Sequence, residues 1–283
     1  MPAGVLPSAP PPAPACPSLV SRGRRWGVLV LAVAQVLAAV VATATGGGRP
    51  SGTSADLLIT PAGWAFSIWG VVVAGCLLYG VHQLPAHRGD EPALRRVAWP
   101  LMGAMAGFTA WLVVAATAPA WATFAVFVVV LALLVVAYST ALRHRRLMGV
   151  PTRLLLIGTL GVYTGWSAVA VPVNLASALA GLGLPVVGAG AAAWQAGALL
   201  LALGAGAAVV SRWRARAAST LAAVWGLLAV AFGAGAREGG GVLAALAAVG
   251  AVVLLGWAVW SRWSDLRRRV ESSTVRLGRG PVV

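Results

Sequence analysis

The chain has 283 residues, of which 60% are hydrophobic and 10% are charged, and its mean hydropathy is +0.88. An ordinary soluble domain is about 25% charged, so the composition excludes that class of protein. The net charge is +15, and all 21 basic side chains other than histidine are arginines.

Apolar runs of nearly twenty residues recur along the chain, and each is long enough to cross a bilayer core of about 30 Å. Hydrocarbon offers no partner to backbone polar groups, and no barrel-type alternation of about ten residues occurs, so the runs are predicted to be helices. The fold class is therefore predicted to be all-α, a polytopic transmembrane helix bundle with about eight spans. The predicted bounds are 26–45, 61–84, 97–117, 119–142, 154–177, 190–210, 217–235 and 241–261.

The arginines divide unequally between the two sides of such a bundle. Alternate threading of the spans places 19 arginines on one side and two, Arg49 and Arg237, on the other. Cytoplasmic flanks carry this excess, so both termini are predicted to be cytoplasmic, in an integral protein of a bacterial plasma membrane. Because orientation accounts for the arginines, we predict no nucleic-acid partner; membrane lipid is an expected partner instead.

The residue composition changes along the chain and suggests four segments. Residues 1–20 contain seven prolines and are predicted to be a disordered leader. Residues 21–180 hold five spans with aromatic and polar residues, whereas 181–262 hold three spans rich in Ala, Gly, Leu and Val. Residues 263–283 form an arginine-rich cytoplasmic tail. An alternative for the first span is a cleavable signal ending near 42–44, but seven further spans favour an anchor.

Charged side chains are missing from deep positions in the spans. The six acidic residues fall in predicted loops or in the tail, which leaves His82 as the candidate for a proton relay. A histidine near a span end is more often an interfacial side chain, whereas coupled transporters usually keep an ionisable group inside the membrane. Metal-ligand spacing, a nucleophile–His–acid set and a phosphate-binding glycine loop are also missing, so no metal and no catalytic residue is predicted.

Aromatic residues mark three of the spans. The stretch TPAGWAFSIWG at 60–70 opens span 2, and span 3 contains FTAW at 108–111. In span 5, Tyr163, Trp166, Ala170 and Asn174 are spaced by 3, 4 and 4 residues and so share one helix face. A plain packing seam would show the same spacing.

The depth of three tryptophans in the membrane favours a binding site over a simple packing contact between helices. At about 1.5 Å per residue, Trp69 lies about 12 Å below the outer edge of its span, Trp111 about 9 Å and Trp166 about 16 Å. Three separate helices therefore place deep tryptophans in the outer half of the bilayer. An uncharged aromatic slot between them would suit a large planar hydrophobic ligand.

Span 5 resembles the last helix of the tryptophan-rich sensory protein/translocator (TspO/MBR) family, whose signature is similar to P-Y-x-x-W-x-x-x-A-x-x-x-N. The four residues of the stripe fall at matching positions, with Val162 in place of the proline. The resemblance is specific in this span.

Spans 2 and 3 add weaker matches to the same family. The second-helix signature, P-x-x-W-x-F followed by a second Trp, is similar to the pattern of Pro61, Trp64, Phe66 and Trp69. The second Trp comes one residue early, and Val73 stands where the family has Tyr. In span 3 the family's N-x-x-W keeps its tryptophan as Trp111, with Phe108 in the Asn position.

The resemblance covers residues 20–180 and implies a five-helix unit that binds tetrapyrroles such as protoporphyrin, and in some members sterols. Spans 6–8 have no counterpart in that five-helix pattern. The resemblance implies no required cofactor and a bound tetrapyrrole as a ligand. The residues expected to bind it are Trp64, Phe66, Trp69, Trp111, Tyr163, Trp166, Ala170 and Asn174.

Three functions stay open at this point, beside that of a scaffold that binds no ligand. The first is a membrane receptor or carrier for a planar hydrophobic molecule. The second is a secondary transporter of a small solute, against which the missing intramembrane charges count. The third is light-dependent porphyrin breakdown, in which the tryptophans would be reactants. Assembly as a homodimer is a further open alternative.

Overall fold

The computed structural model describes residues 19–44, 57–89, 91–186, 188–213 and 217–277. Most of the predicted leader, the loop residues 45–56 with Arg49, and the last six residues lie outside this part of the chain. The described part is all helical, which confirms the predicted fold class. Its helices are α1 (Leu19–Ala44), α2 (Ile68–His82), α3 (Ala86–Gly89), α4 (Pro92–Thr117), α5 (Ala120–Arg143), α6 (Val150–Gly181), α7 (Ala189–Arg212), α8 (Ala217–Gly235) and α9 (Gly241–Leu277).

Eight spans in the described part are long and apolar enough to cross a membrane, as the sequence predicts. Seven are single helices, and the second consists of α2 with the 3₁₀ turn Gly63–Ser67 that precedes it. The helix α3 is a single turn and is not one of the spans. The helix α9 is longer than expected, because it continues to Leu277 and includes the first part of the predicted tail. Neither Pro nor Gly occurs between Gly256 and Gly278, so the sequence offers nothing to end the helix earlier.

The helix α6 lies at the centre of the bundle and contributes to two apolar cores. The first core joins α6 to α1, α2, α4 and α5, and the second joins it to α7, α8 and α9. The central position of α6 explains why its sequence has the most continuous run of buried residues.

Small residues allow the helices to approach closely, as their four-residue spacing predicts. Gly103 and Gly107 on α4 face Leu133 and Val130 of α5. On α6, a methyl group at Gly161 or Gly165 would collide with the start of α8 around Ala218 and Ser219. The predicted glycine pairs therefore lie at helix–helix contacts.

The chain between α1 and α2 enters the second core before it reaches the aromatic stretch. Leu57 and Ile59 are fully buried there. The amide of Ala62 donates a hydrogen bond of 2.8 Å to the carbonyl oxygen of Ala229 on α8. The last three helices thus contact the rest of the bundle through α6, through this segment and through α5, where the Tyr138 hydroxyl donates to Ser219 Oγ at 3.4 Å. The division at residue 180 stays a prediction.

Candidate functional site

Trp69 lies at the centre of a cluster of aromatic rings from four helices. Its ring centroid is 4.8 Å from that of Phe108 and 5.8 Å from that of Trp111, both on α4. On α6, Tyr163 lies 5.6 Å away and Trp166 lies 6.3 Å away, both edge-on. Such distances and angles are typical of favourable aromatic pairs. The structure therefore brings the deep tryptophans of α2, α4 and α6 to one level.

Two phenylalanines complete the cluster, and the sequence analysis selected neither of them as a binding residue. Phe127 on α5 stacks on Trp111 with 5.4 Å between centroids and 27° between planes. Phe108 lies 6.0 Å from Trp111 and 6.4 Å from Tyr163. Span 4 is apolar throughout, so its sequence gives no sign of which face meets the other rings. At position 108 the sequence did give a sign, because Phe108 stands where the family pattern has Asn.

The slot expected between the rings is closed, which corrects the sequence-based expectation. The space between Phe66, Trp69 and the α6 face with Trp166, Ala170 and Asn174 is about 20 Å³. A cavity of that size holds about one water molecule. The reason is steric, because the rings of Trp111, Phe127 and Trp166 all pack against Trp69, with 5.8, 6.2 and 6.3 Å between centroids.

A larger apolar groove lies beside the cluster, between α1, α2 and α4. Its volume is about 750 Å³. Gly70 and Ala74, which line the groove, are exposed, so the groove opens sideways from the bundle, between its helices. The lining residues are Val36, Ala39, Val40, Ala42, Thr43 and Ala44 on α1, Phe66, Trp69, Gly70, Val73, Ala74 and Leu77 in and just before α2, and Phe108, Trp111 and Leu112 on α4.

Three of the predicted binding residues, Phe66, Trp69 and Trp111, line this groove. Sequence reasoning missed the α1 wall, because span 1 is uniformly aliphatic at those positions and resembles a simple anchor. The identity of the wall depends on which helix packs next to α2 and α4. The binding role of the three residues stays a prediction.

The α6 residues lie behind the groove, in the closed part of the cluster. Tyr163 is fully buried, and its hydroxyl donates to the carbonyl oxygen of Ala104 at 3.4 Å. The Asn174 amide donates to the carbonyl oxygen of Ala170 at 2.9 Å, one turn earlier on its own helix. Trp166 and Ala170 border the small void with Asn174.

Trp64 lies apart from the other predicted residues. Its side chain is 47% exposed and its ring packs edge-on against Trp225 of α8, with 4.8 Å between centroids. Phe232, about two turns further along the same face of α8, is 5.8 Å away. Trp64 therefore joins the aromatic stretch to the last three helices and does not border the groove.

The cluster contains hydrogen-bond donors that lack an acceptor within the described protein. The indole Nε1 atoms of Trp69, Trp111 and Trp166 are buried and have no hydrogen-bond partner. A buried donor without an acceptor costs about 1–3 kcal/mol, and buried indoles usually have a partner. The cluster is therefore a packed set of aromatic rings with three unpaired indole N–H groups enclosed within it.

His82, the candidate for a proton relay, lies at the end of α2 and is hydrogen-bonded to neighbouring helices. Its Nε2 lies 2.8 Å from Thr152 Oγ1, and Arg88 Nη1 donates to its Nδ1 at 3.3 Å. Among the described residues, no group of His, Cys, Asp and Glu side chains could hold a metal ion. The geometry gives His82 a structural connection between α2, α6 and α3.

Comparison with known proteins gives one match. A family model described as TSPO-like protein matches residues 25–260, which includes all eight long helices. The match thus extends beyond the five spans that carry the resemblance in sequence. No curated protein and no solved structure matches the chain.

Proposed function

We propose that this chain, which belongs to the TSPO-like protein family, is a membrane receptor or carrier that binds a planar hydrophobic molecule in the groove between α1, α2 and α4. One observation carries the proposal: four aromatic rings, those of Phe66, Trp69, Phe108 and Trp111, form one wall of an apolar groove of about 750 Å³. Small-molecule sites usually have about 300–1,000 Å³ and a largely apolar lining.

The chemistry of the wall favours a flat ligand, and a tetrapyrrole such as protoporphyrin is the proposed class. A macrocycle in the groove would contact Phe66 and the exposed margin of Trp69, rigid rings that gain contact area with little loss of side-chain entropy. A sterol would use the same apolar surface.

The arginine asymmetry supports a position in the outer half of the bilayer. The groove lies toward the end of α1 and the start of α2, at the loop that the positive-inside pattern assigns to the outer side. A ligand would then enter from the outer leaflet or from the outer surface, along the exposed residues Gly70 and Ala74.

Intrinsic fluorescence of the purified full-length chain tests this function. Protoporphyrin should quench tryptophan emission saturably in detergent, and Phe66→Ala should weaken its affinity about tenfold without removing a reporter tryptophan. Trp111→Leu should act in the same direction. Trp121→Leu is the matched control, because Trp121 is 57% exposed at the start of α5 and lies outside the groove. Quenching that never saturates would rule the function out.

The same preparation separates the other two functions. Loss of the porphyrin's Soret band that requires light and disappears with Trp69→Phe would indicate photochemical breakdown. Uptake of a solute into vesicles that depends on a proton or sodium gradient would indicate a secondary transporter. Neither result is expected if the groove is a binding site for a stable ligand.

A further inference from the structure

A second cavity, of about 500 Å³, lies between the first turns of α1 and α4, at the opposite end of these helices from the groove. Its lining consists of Arg24, Pro92, Arg95, Arg96 and Trp99. Arg24 is buried and forms the inner wall, whereas Arg95 and Arg96 are exposed at the rim. Three arginines therefore line one cleft.

Charged side chains of both signs lie near the cleft. Glu91, the residue before Pro92, brings one carboxylate to this end of α4. Arg96 Nη1 donates to His144 Nε2 at 3.1 Å, which uses one of the five N–H donors of that guanidinium. Arg95 and Arg96, both exposed at the rim, suit the cleft to an anion, because guanidinium groups bind phosphate oxygens in pairs.

Exposed indoles beside the cleft point to a lipid as the source of the phosphate. Trp99 lines the cleft and is 64% exposed, and Trp26, two residues after Arg24, is 53% exposed. Indoles at this position favour the boundary between headgroups and acyl chains. Basic clefts between membrane helices bind acidic headgroups. We propose that this cleft binds the phosphate headgroup of an anionic phospholipid, held by Arg95 and Arg96.

Native mass spectrometry of the full chain in detergent tests the proposal, with phosphatidylglycerol as the probe and phosphatidylcholine as the neutral comparison. The wild type should bind phosphatidylglycerol more tightly. The double variant Arg95→Gln/Arg96→Gln should weaken that binding about thirtyfold, the combined effect of two arginines at a membrane surface. Arg143→Gln/Arg146→Gln makes the same charge change at exposed positions outside the cleft and should leave the preference unchanged.

Three results would overturn this site. The first is equal binding of the two lipids by the wild type. The second is an unchanged preference in Arg95→Gln/Arg96→Gln. The third is displacement of phosphatidylglycerol by an equal concentration of inorganic phosphate, because that result would identify a free-anion site. Both altered arginines are exposed, so the variant should fold, and circular dichroism checks that it does.

A different set of contacts carries a second inference, about the segment 57–65 that leads into the groove. The amide of Ile59, which is fully buried, donates to Gln195 Oε1 on α7 at 3.3 Å. Arg237 Nη1, just after α8, donates to the carbonyl oxygen of Thr60 at 3.0 Å. With the Ala62–Ala229 bond, three consecutive parts of this segment are held by α7, α8 and the turn after α8.

Further contacts between α8 and the segment 57–65 reach as far as the groove. The indole Nε1 of Trp225 on α8 donates to the carbonyl oxygen of Ala65 at 3.1 Å. Gly233 on α8 lies directly against the Thr60 carbonyl oxygen, where a methyl group would collide. Ala65 immediately precedes Phe66 in the groove wall. We infer that α7 and α8 hold the entry to α2, and that Gln195 and Arg237 are positioning residues for Phe66 and Trp69.

Hydrogen exchange of the peptide 57–65 tests the holding contact without any ligand. The peptide should exchange slowly in the wild type, and Gln195→Leu and Arg237→Gln should each speed its exchange about tenfold, the worth of one buried hydrogen bond. Arg212→Gln, an exposed change at the other end of α7, should leave the rate unchanged. Fast exchange in the wild type, or no effect of either variant, would overturn the inference.

The positioning role rests on the proposed function, and porphyrin quenching measures it separately. Gln195→Leu and Arg237→Gln should weaken porphyrin affinity about tenfold although neither residue borders the groove. Unchanged affinity in both variants would contradict the positioning role. A wild type that shows the protected peptide but no quenching would refute the proposed function and still support the holding contact.

Discussion

The ring centroids of Trp69 on α2 and Trp166 on α6 lie 6.3 Å apart, with an angle of 84° between the ring planes. Both side chains are buried. This edge-to-face contact ties the helix that borders the groove to the helix at the centre of the bundle. Stability and binding should therefore both depend on the cluster around Trp69, whereas binding alone should depend on the groove in front of it.

Trp69→Ala should lower the free energy of unfolding by about 3 kcal/mol, because it leaves a cavity that five surrounding rings cannot fill. Lipid is itself apolar, so lost contact rather than exposure to water is the cause. Thermal unfolding in detergent measures the effect as a fall in Tm. Trp260→Ala on α9 is the control, since that side chain is 67% exposed and should change the Tm little.

Gly70→Leu should weaken porphyrin binding about tenfold, because the new side chain would project into the groove. A Cβ at Gly70 meets no atom within 4 Å, so the protein should fold normally. Gly197→Leu on α7 is equally unobstructed and lies outside the groove. Fluorescence quenching should show weaker binding for the first variant and wild-type binding for the second. Equal affinities would place the ligand elsewhere.

Gly165→Ala should lower the free energy of unfolding by about 1–3 kcal/mol, because the methyl group would meet the backbone of Ser219 and push α8 from α6. Gly158→Ala lies on the same helix, in open space, and should raise stability by up to about 1 kcal/mol through its higher helix propensity. Thermal unfolding of the two variants side by side gives opposite shifts in Tm. Shifts of the same sign would mean that α6 and α8 do not touch at Gly165.

Fusion reporters test the predicted topology. A fluorescent protein fused after Val283 should fluoresce, because the positive-inside pattern places the C-terminus in the cytoplasm. Alkaline phosphatase inserted after Glu238, in the loop between α8 and α9, should be active, because that loop should face outward. The reversed pattern of activities would invert the bundle and would move the groove to the inner half of the bilayer.

Part of the candidate site could be predicted because the helical repeat places residues on a face. The spacing of Tyr163, Trp166 and Asn174 put them on one side of α6, and counting along the spans brought Trp69 and Trp111 to the level of Trp166. The ring distances agree with that geometry. Trp64 shows the limit of the method, because its neighbour Trp225 lies far away in sequence, on a helix with no comparable pattern.

The sequence by itself determined the eight helices, their family and the level at which the tryptophans meet. These properties follow from the length of apolar runs, from residue identity and from the rise per residue, all of which are local. Only the tertiary structure decided that Phe127 packs against Trp69 and Trp111 and that α1 forms the far wall of the groove. It also decided that α7 and α8 hold the entry to α2. In a membrane most helix faces are apolar, so hydrophobicity does not select neighbours; close packing of small residues and backbone hydrogen bonds do.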